Sequence, residues 1–181
     1  MLGSASMMMN QYSYGQGLSN SYVNTNCGLS IQYPSNWKIE EQTDDPINVI
    51  NYIVEFEPDT LDGYNSVIGI QLAEISWPIE KSIEGIKDFE EDYIRTGGIG
   101  YIESSETTSV AGYPAQKIVY TEHGDDFTFK KMEVDILAFD REYKVTYDTS
   151  GEEFFDKNLS TLEKMIETLK ITQPSFEGII C

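Results

Sequence analysis

Residues 101–121, YIESSETTSVAGYPAQKIVYT, contain two strand-like segments that are separated only by the pair Ala111-Gly112. The first segment is rich in Ser and Thr, and the second covers residues 113–121. A connection this short joins antiparallel strands, because parallel strands need a crossover of about a dozen residues or more. The stretch therefore predicts an antiparallel sheet rather than a parallel βαβ arrangement.

Strand candidates continue on both sides of this hairpin. They cover residues 29–33, 37–39, 49–57, 66–75, 127–139 and 142–148. The last two are separated by a short turn at Asp140-Arg141. Connections of hairpin length again predict antiparallel pairing between neighbouring strands.

Two amphipathic helices are predicted, one in the middle of the chain and one near its end. The first covers residues 79–96, and its apolar stripe is formed by Ile83, Ile86, Phe89 or Glu90, and Tyr93. The second covers residues 152–170, and its stripe is formed by Phe155, Leu159, Leu162, Ile166 and Leu169. Each helix must cover a face of the sheet, so the sequence predicts an α+β domain with one central antiparallel β-sheet and helices on its faces.

The composition excludes several classes of protein. The chain has 181 residues, with 31 Asp and Glu against 12 Lys and Arg, and its net charge is −19. Nucleic acids and anionic membranes require a basic surface, so neither is expected as a partner. No run of about 18 apolar residues is present, which excludes a transmembrane helix in this chain. We expect one monomeric domain with a protein partner, and a basic partner suits the charge.

The ends of the chain differ from its centre. Residues 1–26 are rich in Ser, Asn, Gln, Gly and Tyr and contain no charged side chain. They are predicted to be a flexible polar tether, the remnant of a removed signal or anchor region, with a folded N-terminal extension as the alternative. The folded domain is expected over residues 27–172, followed by a C-terminal tail over 173–181.

The two cysteines lie at opposite ends of the predicted domain. Domain termini often lie close together, so Cys27 and Cys181 are candidates for a disulfide. Such a bridge would close a loop of about 150 residues and stabilise the fold by about 5 kcal/mol. The alternative is two unrelated free thiols. A bridge would favour an oxidising, extracytoplasmic location, either secreted or anchored through a removed segment.

Three motifs resemble the PsbP family. Residues 28–37, GLSIQYPSNW, resemble the family's opening strand with its Tyr-Pro-x-x-Trp turn, and residues 110–120 resemble its Val-x-Gly-x-Pro-Ala hairpin. A Tyr-x-x-x-Tyr strand follows at residues 143–147. The resemblance covers residues 27–172 and implies the α/β/α sandwich of the Mog/PsbP type. Its members include extrinsic subunits of photosystem II, Ran-binding proteins and bacterial lipoproteins, which share a fold rather than one function.

One loop carries the best candidate for chemistry. Glu122-His123-Gly124-Asp125-Asp126 places the only histidine among carboxylates. His123, Asp125 and Asp126 have the ligand types that bind Zn²⁺ or Mn²⁺, whereas the alternative is a solvated turn. No Gly-x-Ser-x-Gly motif and no phosphate-binding glycine loop occurs, so no catalytic and no cofactor-binding residue is predicted.

These observations leave functions of different classes. The first is a non-catalytic, extracytoplasmic, PsbP-like binding or assembly module that docks on a protein partner or a larger complex. The alternative is a small metal-dependent or hydrolytic enzyme that uses the His123 loop. A third hypothesis is an intracellular adaptor of the Ran-binding type.

Overall fold

The computed structural model describes residues 17–41, 52–58, 66–74, 82–98, 100–124, 128–150 and 152–175. Their strands are β1 Leu18–Asn24, β2 Leu29–Pro34, β3 Lys38–Glu41, β4 Tyr52–Glu57, β5 Ser66–Glu74, β6 Gly100–Val110, β7 Tyr113–His123, β8 Thr128–Ala138, β9 Arg141–Ser150 and β10 Lys170–Ile171. Their helices are α1 Ile83–Thr96 and α2 Glu152–Glu167.

The strands form two antiparallel sheets. The larger has seven strands in the order β3-β4-β5-β9-β8-β7-β6, and the smaller has three in the order β1-β2-β10. The α+β class and the antiparallel sheet are confirmed. The small second sheet was not predicted. Its strand β1 lies in the segment predicted as a tether, and β10 begins at Lys170, which the prediction assigned to the second helix, whereas α2 ends at Glu167.

Two tight turns at one end of the large sheet join β6 to β7 and β8 to β9. Ala111 and Gly112 have φ values of 54° and 86°, as the predicted hairpin turn requires. The second turn uses Phe139 and Asp140, with φ values of 55° and 58°. The prediction placed this turn one residue later, at Asp140-Arg141, because a bulky residue such as Phe139 rarely adopts the left-handed region.

Strand alternation directs the two helices to opposite faces of the large sheet. In β7, Lys117 forms an ion pair with Glu163 of α2, whereas the next residue, Ile118, packs with Ile94 of α1. The face under α2 is the apolar core of the domain. Its buried side chains include Phe56, Met132, Ile136, Tyr143, Tyr147 and Leu162. This face supplies most of the hydrophobic stabilisation.

Helix α1 is rotated relative to the prediction. Its N-cap is Ser82, whose Oγ accepts a hydrogen bond from the Gly85 N–H at 3.1 Å. Its buried hydrophobic side chains are Ile83, Ile86 and Ile94. Tyr93 was predicted to face inward but is exposed, and Glu90 rather than Phe89 turns towards the sheet. The predicted residues 79–81 lie outside the described residues.

The segment predicted as a tether contains a strand. Residues 18–24 form β1, which pairs with β2. Tyr22 is buried there and meets the ring of Phe56 edge-on, with 6.2 Å between ring centroids. The side chains around Tyr22 are mostly polar, so the sequence shows no strand pattern there. The strand forms nevertheless, because strand pairing satisfies backbone groups whatever the side chains are. Residues 1–16 lie outside the described residues.

The C-terminal segment returns to the start of the domain. The backbone N–H of Thr172 donates to the carbonyl oxygen of Gly28 at 2.8 Å, and that of Ser175 donates to Asn26 at 3.0 Å. Gly28 has φ +66°, and a Cβ there would lie 2.1 Å from the Thr172 carbonyl oxygen. Glycine is therefore required where the two ends of the chain meet.

The aromatic residues of the opening motif have structural positions. Tyr33 and Trp37 are buried, and the Tyr33 ring lies 5.1 Å from that of Phe56. The backbone N–H of Trp37 donates to the Pro34 carbonyl oxygen at 3.1 Å, which closes the turn. No helix in the described part of the chain is long and apolar enough to cross a membrane.

The α2 helix provides the test of the core. Leu162 is fully buried between α2 and the sheet. We expect Leu162→Ala to lower the free energy of unfolding by about 2–5 kcal/mol, because it leaves a cavity. Urea unfolding measures this change, with the exposed Lys164→Ala as the control. A Leu162→Ala protein as stable as that control would contradict the packing described.

Candidate functional site

The face of the sheet under α1 holds a cluster of charged side chains around Lys144 of β9. Its ammonium nitrogen lies 2.6 Å from Glu90 Oε1, 3.2 Å from Glu133 Oε2 and 3.2 Å from Asp135 Oδ1. Glu142 Oε1 is 3.8 Å away. One ammonium group thus contacts four carboxyl groups, and we call these five residues the Lys144 cluster.

Strand register assembles most of this cluster. Asp135 of β8 is the antiparallel partner of Lys144, so the two side chains lie side by side on one face. Glu133 and Glu142 are each two residues away from one of them and share that face. Glu90 comes from α1, which lies above the sheet. The cluster therefore links the helix to the two central strands.

Asp135 is the most constrained member. It is 0 % exposed, its Oδ1 lies 3.2 Å from the Lys144 ammonium nitrogen, and the side chain of Glu142 also faces it. Burial raises the pKa of Asp135 to about 8, and the nearby Glu142 and Glu133 add to this although Lys144 opposes it. Burial likewise raises the pKa of Glu90.

The surroundings of Lys144 favour its charged form, whereas those of Asp135 favour its neutral form. Burial by itself lowers the pKa of its ammonium group, but the carboxylates of Asp135, Glu133 and Glu90 outweigh that effect and raise the pKa well above its usual value. The ammonium therefore stays charged. The cluster has more acid than base, so it favours a proton on one of its carboxyl groups.

Neighbouring polar side chains extend the cluster along the same face. The Tyr120 hydroxyl donates to Glu133 Oε1 at 2.6 Å, and burial together with Glu133 raises the pKa of Tyr120. Lys131 contacts Glu122 at 2.6 Å and Asp148 at 3.6 Å. The α1 side of the sheet is thus a network of paired charges, in contrast to the apolar α2 side.

The chemistry of this cluster favours a structural role. Oxygens of Glu90, Glu133 and Asp135 lie within 4.8 Å of one another, which is a spacing that a metal ion accepts. The Lys144 ammonium already contacts all three carboxylates and neutralises part of their charge. Asp135 is fully buried. We interpret the cluster as an ion-pair network that holds α1 on the sheet.

The predicted metal residues are only partly described. His123 is exposed at the end of β7, with Nδ1 3.5 Å from Thr128 Oγ1 and its ring 5.9 Å from that of Tyr101. Asp125 and Asp126 lie outside the described residues, so a metal site at His123 stays a prediction. Among the described residues, His123 joins no group of three metal-ligating side chains.

The predicted disulfide residues are also described in part. Cys27 is fully buried and disulfide-bonded, and its carbonyl oxygen accepts a hydrogen bond from the Tyr143 hydroxyl at 2.8 Å. Cys181 lies outside the described residues. The pairing of Cys27 with Cys181 therefore stays a prediction.

Sequence reasoning missed the Lys144 cluster. A signal was present, because Lys131, Glu133 and Asp135 alternate with apolar residues inside a predicted strand, which marks a charged face. The sequence does not show that α1 covers that face or that Glu90 meets Lys144. These contacts join residues far apart in the chain.

No protein-family model and no curated protein matches the sequence of this chain. Cyanobacterial PsbP (CyanoP) from Synechocystis sp. PCC 6803 matches its structure with a TM-score of 0.62 and 14% identity, covering 94% of this chain and 99% of that one.

Two further solved structures are similar. The Ran-binding protein Mog1p of Saccharomyces cerevisiae matches with a TM-score of 0.55 and 9% identity, covering 86% of this chain and 96% of that one. LpqN of Mycobacterium tuberculosis, described as involved in cell envelope biogenesis, matches with a TM-score of 0.53 and 10% identity, covering 88% of each. The chain therefore has the PsbP/Mog-type fold, which confirms the resemblance seen in its motifs.

The buried Asp135 predicts an unusual pH dependence. Unfolded, its pKa is about 3.9. Between about pH 4 and 8 the native state keeps a proton that the unfolded state releases, so the free energy of unfolding falls as pH rises, by up to about 1.4 kcal/mol per unit. We expect Asp135→Asn to flatten this slope, as measured by urea unfolding across that range.

Other groups also make the free energy of unfolding fall as pH rises, so a control variant is needed. Burial also raises the pKa of Glu90 and of Asp148, so some slope remains in the variant. Asp156→Asn, at an exposed position of α2, is expected to keep the full slope. Equal slopes for Asp135→Asn and the unaltered protein would contradict the assignment.

Proposed function

We propose that this protein is a non-catalytic binding or assembly module that docks on a protein partner. The observation that carries the proposal is the PsbP/Mog-type fold over nearly the whole chain, which CyanoP and the Ran-binding protein Mog1p share. The Lys144 cluster is consistent with it, since its most perturbed carboxyl group is buried and paired rather than open to a substrate.

The charge of the chain indicates the kind of partner. A net charge of −19 attracts positively charged surfaces and repels a second copy of the same chain. Association with a basic partner is expected to be fast at low ionic strength and to weaken as salt screens the attraction. We therefore propose a basic protein surface as the partner.

We further propose an extracytoplasmic location. Its support is the disulfide at Cys27, because disulfides persist in oxidising compartments. Cys181 is the other cysteine of the chain, and the hydrogen bond between Ser175 and Asn26 brings the C-terminal segment to the turn that contains Cys27. We propose that Cys27 and Cys181 are partners.

Peptide mapping under non-reducing conditions tests this pairing. We expect one linked peptide pair that contains Cys27 and Cys181 and that separates on reduction. Reduction should lower the free energy of unfolding by up to about 5 kcal/mol, because the bridge closes a long loop. Two alkylatable free thiols in the native protein would contradict the pairing and remove the main support for the location.

The alternative function is a small metal-dependent or hydrolytic enzyme that uses His123 with Asp125 and Asp126. The observation that favours it is the exposed position of His123 at the end of β7. Elemental analysis of protein purified without an affinity resin distinguishes the two functions. Stoichiometric metal that is lost in His123→Ala together with a measurable turnover would replace the binding proposal.

Photo-crosslinking in the producing cells tests the binding proposal directly. We expect the tagged chain to be crosslinked in an extracytoplasmic fraction to a defined protein at fixed stoichiometry. The yield of the crosslinked complex should fall when salt is raised above about 0.15 M before irradiation. Recovery of the chain alone from every fraction would contradict the proposal, as would a complex whose stability does not depend on salt.

A further inference from the structure

We propose that the outer flank of α1 binds an arginine-rich extended segment of the protein partner. This surface consists of the rings of Phe89 and Tyr93 and the carboxylates of Asp88 and Asp92, and we call it the α1 flank. The inference rests on the proposed function and adds to it the place and the chemistry of the contact.

The two rings are the first observation. Phe89 is 51% exposed and Tyr93 is 56% exposed, although both are large apolar side chains on a helix that has a buried stripe. They lie one turn apart and stack nearly parallel, with ring centroids 6.5 Å apart and planes 7° apart. The rings form a flat apolar surface that nothing in the described part of the chain covers.

The inward side of α1 explains why these rings face outwards. Glu90 reaches Lys144 on β9, and Glu91 on the other side accepts a hydrogen bond from Ser105 of β6 at 2.6 Å. Since successive helical residues are rotated by about 100°, Phe89 and Tyr93 lie on the opposite flank from Glu91. The helix cannot turn them inwards without breaking the contact between Glu90 and Lys144.

The charges of α1 are the second observation. Both basic residues of α1 form ion pairs with Glu91. Their side-chain nitrogens lie 2.9 Å (Arg95) and 3.9 Å (Lys87) from its carboxylate oxygens. Glu84, Asp88 and Asp92 are exposed, follow one another at spacings of four residues, and form no ion pair within the described part of the chain. Like charges at this spacing destabilise a helix, so an incoming cation is favoured there.

The combination of rings and carboxylates selects arginine. A guanidinium group stacks flat on an aromatic ring and at the same time donates hydrogen bonds to a carboxylate, which the compact ammonium of lysine does less well. Carboxylates four residues apart on a helix are separated by about 6 Å along its axis. Alternate side chains of an extended segment repeat at about 6.6 Å, so arginine at every second residue matches the spacing of Asp88 and Asp92.

A peptide of about ten residues in which Arg and Ser alternate is the probe, and fluorescence anisotropy measures its binding. We expect the unaltered protein to bind it at low salt, and Phe89→Ala combined with Tyr93→Ala to weaken binding by about fivefold or more. Asp88→Asn combined with Asp92→Asn should also weaken binding and reduce its salt dependence. The matching Lys-Ser peptide should bind more weakly than the Arg-Ser peptide.

Tyr101→Ala is the matched control. Tyr101 is 54% exposed, as Phe89 and Tyr93 are, but it lies on β6 beside His123 rather than on α1. We expect this variant to bind the Arg-Ser peptide like the unaltered protein. All replaced side chains are exposed, so thermal unfolding should show that the variants remain folded, and any variant that does not is replaced by Phe89→Ser or Tyr93→Ser singly.

The outcomes separate this inference from the proposed function. Equal binding of the Arg-Ser peptide by the ring variant and the Tyr101→Ala control would overturn the α1 flank as the contact. So would absence of binding by the unaltered protein at low salt. If the crosslinked partner binds the ring variant undiminished, the location is wrong while the binding function stands. If crosslinking finds no partner, the proposed function fails whatever the peptide does.

Discussion

The ion pair between Glu90 and Lys144 determines how α1 lies on the sheet. Both groups are largely shielded from water, and removing one partner of a buried pair typically costs about 3–5 kcal/mol, because the other charge is left uncompensated. The pair therefore sets the rotation of the helix about its axis. With Glu90 directed inwards, Ile83, Ile86 and Ile94 are buried, and Phe89 and Tyr93 are left outside.

The two faces of the large sheet contribute differently to the protein. The face under α2 is packed with apolar side chains, which supply the burial on which stability depends. The face under α1 is lined with paired charges, whose net contribution to stability is small because burial offsets much of the attraction. Such a network defines the position of α1 and makes stability depend on pH through Asp135. Among the described residues, the rings of Phe89 and Tyr93 on the outer surface of α1 are left exposed.

The fold by itself does not specify a function. CyanoP, Mog1p and LpqN share the architecture with this chain at 9–14% identity, so what they have in common is packing rather than a set of surface residues. The features of this chain on which its proposed contacts rest are its acidity, its cysteines and the exposed rings of α1. These features lie on the surface or at the ends of the domain, where the packing of the fold imposes few constraints.

The sequence by itself determined the antiparallel sheet, the two helices and the α+β class, because these depend on local periodicity and on turns such as Ala111-Gly112. It also indicated the apolar stripe of α2. The tertiary structure alone decided that residues 18–24 pair as a strand, that Glu90 rather than Phe89 lies on the inner side of α1, and that Asp135 is buried beside Lys144. Each of these depends on residues distant in sequence, and a local pattern cannot show which charge will face which when strands and helix come together.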